Sequence, residues 1–98
     1  DKKLKDQSDE SKMTLLMWAC DRGNLDIVKF LVDELNSDLN KQDSEGQTCL
    51  HYAVSCEHVE IVKYLKSKSE MNISIADAEG LKPLDLTQNK EIIEILTS

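Results

Sequence analysis

The fold of this chain is decided by residues 46–65, which read Gly46-Gln47-Thr48-Cys49-Leu50-His51-Tyr52-Ala53-Val54-Ser55-Cys56-Glu57-His58-Val59-Glu60-Ile61-Val62-Lys63-Tyr64-Leu65. Thr48 can cap a helix, because its hydroxyl can accept a hydrogen bond from an amide in the first turn. Apolar residues then recur three and four apart in two runs, Leu50, Ala53 and Val54 followed by Val59, Val62 and Leu65. The pattern predicts a hairpin of two short helices, each too short to be stable alone in water.

The rest of the chain contains imperfect copies of this unit. A shift of 34 residues lays 13–20 on 47–54 and 25–31 on 59–65. A further shift brings 80–87 onto 46–53, and 91–96 follow 60–65 after a deletion of three residues. The sequence therefore predicts two full repeats and one abbreviated third repeat, which support one another by stacking.

The motif Asp43-Ser44-Glu45-Gly46-Gln47-Thr48-Cys49-Leu50-His51-Tyr52-Ala53 resembles the ankyrin repeat, with Cys49 at the usual proline position. The segments Asp38-Leu39-Asn40 and Asn72-Ile73-Ser74 match the loop that follows the second helix of that repeat. Repeat one departs from the family pattern at Lys12 and Met17, and repeat three departs at Lys82 and Asp85. The resemblance implies an all-α ankyrin-repeat solenoid with two full helix-turn-helix repeats and an abbreviated C-terminal capping repeat.

We expect a charged linker tail at 1–12 and an ankyrin-repeat domain at 13–98, with repeats near 10–43, 44–77 and 78–98. The tail has one clearly apolar residue, Leu4, and is typical of a linker in a longer chain. Helices are predicted over 15–22, 25–35, 49–56, 59–67, 83–88 and 90–96.

The charge balance bears on the class of partner. Residues 1–12 carry four lysines and four acidic residues, so the net charge of −7 lies on 13–98. This sign disfavours nucleic acid. It indicates either a solvated surface or an acidic docking face for a basic protein partner. No stretch is apolar enough to insert in a membrane, and three cysteines without a Cys-x-x-Cys pair favour a reducing, cytoplasmic location.

The candidate partner-binding residues follow from the repeat register. Trp18 and Tyr52 share a repeat position and should lean toward the hollow side of the stack, where they either anchor a partner peptide or cover a neighbouring helix. Acidic residues recur at the loop tips, where ankyrin proteins usually meet their partners. Phe30 and Tyr64 are predicted to be packing residues. The complete predicted set comprises Trp18, Asp21, Arg22, Asp43, Ser44, Glu45, Gln47, Tyr52, Ser55, Asp77, Ala78 and Glu79.

The pattern predicts no enzyme, no cofactor and no metal site. His51 and His58 are separated by a predicted turn, and no further histidine completes a zinc site. The resemblance implies structural roles for both histidines, with His51 bonded to loop backbone. Cys20 should be buried with a raised thiol pKa. Cys49 lies in the first turn of a helix, where the dipole favours thiolate, but no base is placed to serve it.

A narrower resemblance is carried by three segments, which are Trp18-Ala19-Cys20-Asp21-Arg22-Gly23, Glu45-Gly46-Gln47-Thr48 and Leu50-His51-Tyr52-Ala53. Together they are similar to the C-terminal ankyrin segment of acyl-CoA-binding-domain proteins. This implies a lipid-handling parent with an upstream acyl-CoA-binding domain, and no lipid site within these repeats. The leading hypothesis is a protein-interaction module. The alternatives are an intramolecular regulatory or stabilising appendage that acts on the upstream domain, and an adaptor from an unrelated signalling protein.

Overall fold

The computed structural model describes residues 13–98, so the predicted tail at 1–12 lies outside the described residues. The helices are α1 (Leu15–Arg22), α2 (Leu25–Lys29, continued by a π-helical turn over Phe30–Glu34), α3 (Cys49–Ser55), α4 (Val59–Lys66), a 3-10 helix (Pro83–Leu86) and α5 (Lys90–Thr97). The part of the chain that is described contains no strand, and the predicted all-helical repeat fold is confirmed.

The helices form two layers. In the first layer α1 packs against α3, and α3 packs against the 3-10 helix; in the second layer α2 packs against α4, and α4 against α5. Each first-layer helix also packs against the second-layer helix that follows it in the chain. Two full helix pairs and one shortened pair therefore stack side by side, as the 34-residue register predicts.

The start of each first-layer helix is fixed by the same device. Thr14 and Thr48 accept hydrogen bonds from the amides of Met17 and His51. The side chain three residues past each cap bonds back to the amide of the capping residue: Met17 Sδ accepts from Thr14 at 3.4 Å and His51 Nδ1 from Thr48 at 3.0 Å. In repeat three Asp85 Oδ2 accepts from the Lys82 amide at 3.0 Å. Met17 and Asp85, which depart from the family pattern, thus keep the acceptor that the cap needs.

The core lies between the layers and between successive repeats. Leu50 and Val62, the residues expected to face the adjoining copies, are completely buried. They belong to one continuous cluster of buried apolar side chains, which extends from Leu16 in repeat one to Leu96 in repeat three. Because each repeat buries apolar side chains against its neighbours as well as between its own helices, stacking supplies stabilisation that the short helices lack alone.

Two helix predictions need correction. The predicted helix over 25–35 keeps α-helical bonding only to Lys29, after which the amide of Leu35 bonds to the carbonyl of Phe30 at 3.3 Å in a wider turn. The predicted helix over 83–88 is a four-residue 3-10 helix. A Pro83 ring at its first position and the deletion that follows leave room for only one tight turn.

The two second-layer aromatic residues have different environments. Tyr64 packs against the core cluster, and its hydroxyl donates to Asp33 Oδ1 at 2.7 Å; Lys68 Nζ lies 2.7 Å from the same oxygen. Phe30, at the equivalent position of repeat one, is 54% exposed. The prediction that Phe30 is a packing residue is therefore wrong within the described part of the chain, because no described repeat lies in front of it.

Candidate partner-binding surface

The loops between repeats are built around two equivalent aspartates. Asp43 Oδ1 accepts from the amides of Glu45 and Gln47, both at 2.9 Å. Asp77 Oδ1 accepts from the amides of Glu79 and Leu81, also at 2.9 Å. Backbone bonds from Asp43 to Gln47 and from Asp77 to Leu81 close each loop into a short hairpin. The aspartate repeated in the family motif thus shapes the loop tip.

The placement of Asp43 corrects its predicted role. We expected its carboxylate to contact a partner, but the residue is buried and its second oxygen accepts a hydrogen bond from the Tyr52 hydroxyl. Both oxygens are therefore engaged within the chain. Asp77 is half-buried and uses one oxygen in the same loop role. The exposed carboxylates at the tips are those of Glu45 and Glu79.

The two loop tips are joined to each other. The amide of Ala78 donates to the carbonyl of Glu45 at 2.9 Å, and Gln42 Nε2 donates to the carbonyls of Gly46 and Ala76 at 2.8 and 3.3 Å. Gly46 has a φ of +77°, and a Cβ there would lie 2.7 Å from the amide nitrogen of Ala78. The tips therefore present Ser44, Glu45, Ala78 and Glu79 to solvent from a fixed backbone, with Gln47 half-buried beside them.

Tyr52 lies where the first-layer helices meet the loops. Burial raises the pKa of its phenol, and the hydrogen bond to Asp43 and the charges of Asp43, Glu45 and Asp21 raise the pKa further. The Tyr52 phenol therefore lies in a negatively charged environment and is held to the loop by its hydrogen bond to Asp43. We call the outer side of α1 and α3, together with the two loop tips, the first-helix face.

Trp18 occupies the same repeat position as Tyr52 and is 41% exposed. The guanidinium of Arg22 lies 5.1 Å from the centre of its ring, a cation–π distance. Leu86, in the 3-10 helix, takes this position in repeat three and is half-buried. Trp18, Tyr52 and Leu86 therefore form a row of equivalent positions. The sequence analysis placed only Trp18 and Tyr52 on this surface, although the 34-residue register also indicates Leu86.

The turn between α1 and α2 contacts the turn of the next repeat. The imidazole of His58 donates from Nε2 to the carbonyl of Asp21 at 3.1 Å, and the Cys56 thiol donates to Asp21 Oδ1 at 3.4 Å. His58 also fills the space beneath Gly23, where a Cβ would lie 2.6 Å from its Cε1 atom. Asp21, Arg22 and Ser55 are all exposed at this edge. The structural role predicted for His58 is confirmed.

The groups considered for catalysis have structural contacts. His51 is buried, accepts from Thr48 through Nδ1 and bonds to the carbonyl of Leu81 through Nε2 at 2.9 Å, which confirms its predicted role. Cys20 is buried, and contact with the Cys49 thiol together with burial raises its pKa, as predicted. The Cys49 thiol is buried and donates to the carbonyl of Leu39 at 3.4 Å, so it is a hydrogen-bond donor there. Among the described residues, no cluster of ligand side chains suited to a metal ion is found.

Comparison with known proteins identifies the family. The family model described as "Ankyrin repeats (3 copies)" matches residues 1–77. The chain belongs to the ankyrin-repeat family. Ankyrin repeats are protein–protein interaction modules, and their fold is typically non-catalytic. A search of curated proteins finds no match to this ankyrin-repeat chain.

Solved structures agree with the ankyrin fold. The ankyrin repeat domain of Bcl-3, described as a member of the IkappaB protein family, superposes with a TM-score of 0.78 over 85% of this chain at 24% sequence identity. The chain spans 36% of the length of that ankyrin domain. At this identity the likeness shows the fold alone. None of the helices in residues 13–98 combines the length and apolar character needed to cross a membrane.

Proposed function

We propose that this ankyrin stack binds a protein segment along its first-helix face, and that the segment combines an apolar side chain with basic residues. The observation that carries the proposal is the exposure of the Trp18 ring, in one repeat row with Tyr52, on the face that also exposes the carboxylates of Asp21, Glu45 and Glu79. An aromatic row with carboxylates on both sides offers an apolar contact for one side chain and charge complementarity for its neighbours.

The candidate binding residues differ in how far their side chains are exposed to a partner. Trp18, Glu45 and Glu79 are exposed, and they would supply the apolar anchor and the charges. Arg22 covers part of the indole and can pair with an acidic residue of the partner. Asp21, Ser44, Ser55 and Ala78 stand exposed at the edges of the same face, and Gln47, Tyr52 and Asp77 are half-buried within it. Asp43 contributes by holding the Glu45 loop and Tyr52 in place.

The test uses a displayed library of random peptides, screened against the full chain. Binders enriched in Lys or Arg next to an apolar residue are expected, with affinity that weakens as salt rises. Trp18→Ala should reduce their affinity by about tenfold or more, as is typical of an aromatic anchor. Glu45→Ser with Glu79→Ser should reduce binding mainly at low salt. Glu94→Ser, an exposed carboxylate on α5, is the matched control. Binders without basic residues, or equal losses in the control, would overturn the proposal.

A second candidate is that the stack acts on an acyl-CoA-binding domain of the same protein as a regulatory or stabilising appendage. Its support is the sequence resemblance carried by residues 18–23 and by the segments 45–48 and 50–53 of repeat two. Titration of acyl-CoA into the full-length protein, with and without the repeats, tests this candidate. A change in affinity supports it, and identical titrations rule it out. We also propose a cytoplasmic location, supported by the three free cysteines.

A further inference from the structure

The loop that follows α2 differs from the equivalent loop of repeat two at a packing position. Ser37 stands 34 residues before Met71, and the Met71 side chain packs against the core cluster. Ser37 is half-buried, but its side chain is too short to fill the space that a methionine occupies. Because protein interiors are closely packed, a missing side chain at such a position leaves room for another group.

The backbone also takes a different path at the ends of the two helices. Asn36 has a φ of +53°, and the amide of Ser37 donates to the carbonyl of Leu31 at 3.0 Å. Asparagine is one of the few residues other than glycine that adopt a left-handed backbone at the end of a helix. After α4, by contrast, the amide of Met71 donates to the carbonyl of Lys68 at 3.1 Å in a tight turn. The loop after α2 is therefore wider and is held open by its own hydrogen bonding.

A cavity of about 270 Å³ lies beside this loop and opens to solvent. Its lining consists of Val32, residues 36–40 and Glu70, and we call it the α2-loop cavity. Val32 and Leu39 are buried and supply its apolar part. Asp38 and Glu70 are acidic, and none of the described residues that line the cavity is a lysine or an arginine. The lining thus combines an apolar floor with uncompensated negative charge.

The polar side chains of the lining differ in how far they are used within the chain. Asn40 is engaged twice, because its Nδ2 donates to the carbonyl of Glu70 at 2.9 Å and its Oδ1 accepts from the amide of Asn72 at 2.8 Å. Asp38 Oδ1 accepts from the amide of Asn40 at 2.9 Å. Within residues 13–98, Asp38 Oδ2 and the side chains of Ser37 and Glu70 have no hydrogen-bond or ion-pair partner. Acceptor oxygens therefore remain for a ligand that donates hydrogen bonds.

We propose that the α2-loop cavity is a second binding site, which receives one arginine side chain of a protein partner. The methylene groups of the arginine pack on Val32 and Leu39, and its guanidinium donates to Asp38, Ser37 and Glu70. Arginine suits this lining better than lysine, because its planar guanidinium offers several donors and is less strongly hydrated than an ammonium. No residue of the lining belongs to the first-helix face, so this site is separate from the surface proposed above.

The first test titrates N-acetyl-arginine methylamide into the full chain, with the backbone amides followed by NMR. The citrulline derivative is the matched control probe, because it has nearly the same shape and no charge. The arginine probe should give saturable shifts at residues 36–40, and the citrulline probe should bind about tenfold more weakly, since charge-assisted hydrogen bonds are lost. Equal binding of the two probes, or no saturable shift with the arginine probe, would overturn the proposal.

The second test changes the cavity itself. Ser37→Met introduces the residue that fills the equivalent position of repeat two, so it should abolish the arginine-dependent shifts. Asp38→Asn keeps an oxygen for the amide of Asn40 but removes the charge, and it should weaken binding of the arginine probe by about tenfold. Circular dichroism verifies that both variants keep their helices. Unchanged binding in either variant would contradict the proposed site.

A control variant and a separate readout make the result specific. Glu34 is an exposed carboxylate at the end of the same helical segment and lies outside the cavity lining, so Glu34→Gln should bind the arginine probe as the wild type does. An equal loss in Glu34→Gln would reduce the effect to general charge attraction and would overturn the proposal. Peptides selected on the first-helix face should still bind Ser37→Met, so the two proposals fail independently.

Discussion

The imidazole of His51 donates a 2.9 Å hydrogen bond from Nε2 to the carbonyl oxygen of Leu81, which lies in the loop of the next repeat. Its other ring nitrogen accepts from the amide of Thr48, at the start of its own helix. The ring is buried, so neither bond competes with water. One side chain thus caps a helix and joins repeat two to repeat three.

We predict that His51→Ala lowers the free energy of unfolding by about 2–4 kcal/mol, because it leaves a buried amide without a partner and opens a cavity. His58→Ala is the comparison, since His58 is half-buried and makes one backbone bond to Asp21. His58→Ala should lower the free energy of unfolding by less than His51→Ala does. Urea denaturation of both variants measures the difference, and equal costs would contradict the linking role of His51.

Alanine substitutions at Gly46 and Gly80 distinguish the cost of a left-handed backbone from the cost of a steric collision. Their φ angles are +77° and +81°, but a Cβ at Gly46 would meet the Ala78 amide, whereas a Cβ at Gly80 meets nothing within 4 Å. Gly80→Ala should cost about 1–2 kcal/mol for the left-handed backbone alone. Gly46→Ala should cost about 1–3 kcal/mol more from the collision. Thermal unfolding monitored by circular dichroism gives both values, and the close approach is refuted if the two variants melt together.

Asp43 and Asp77 hold equivalent loops with different numbers of bonds. Asp43→Ala should destabilise the chain by about 2–4 kcal/mol, because it removes the oxygen that accepts from the amides of Glu45 and Gln47 and leaves the Tyr52 hydroxyl without its partner. Asp77→Ala removes the two amide bonds of a half-buried residue, so a smaller loss is expected. Chemical denaturation ranks the two variants. The reverse order would show that the Tyr52 contact contributes little.

Asp33 gives a prediction about pH. Hydrogen bonds from Lys68 and then Tyr64 lower its pKa below the ordinary value of 3.8. A lowered carboxyl pKa stabilises the fold above the unfolded pKa, and that contribution is lost as the pH falls through the lowered value. Titration of the Asp33 carboxyl by NMR should show the shift. Lys68→Met should return the pKa toward 3.8 more fully than Tyr64→Phe does, because Lys68 is the larger cause. An unshifted wild-type carboxyl would refute the pairing.

Sequence patterns predicted the repeat architecture because it depends on local features. The 3-4 spacing of apolar residues and the capping threonines at 14 and 48 are encoded within each unit, and the structure places helices at those positions. Even the departures at Met17 and Asp85 preserve the bond to the capping residue. The helix predicted over 83–88 is shorter than expected and is a 3-10 helix, because the way a shortened repeat closes depends on how it packs against α3.

The candidate surface was predictable in position and less so in detail. Trp18 and Tyr52 could be placed by register alone, and Leu86 could have been. The burial of Asp43 could not be predicted, since an aspartate at a loop tip is usually solvated and only the fold brings the Tyr52 hydroxyl to it. The binding role of the set stays a prediction.

The sequence by itself determined that this chain forms stacked helix pairs, because periodicity and capping act over a few residues and recur every 34. Only the tertiary structure decided which side chains remain for other molecules. Cys49 is buried and its equivalent Leu15 is exposed. The reason is that repeat one lies in front of Cys49, whereas no described repeat lies in front of Leu15. Whether a side chain in a solenoid is buried depends on the adjoining repeat as much as on the side chain itself.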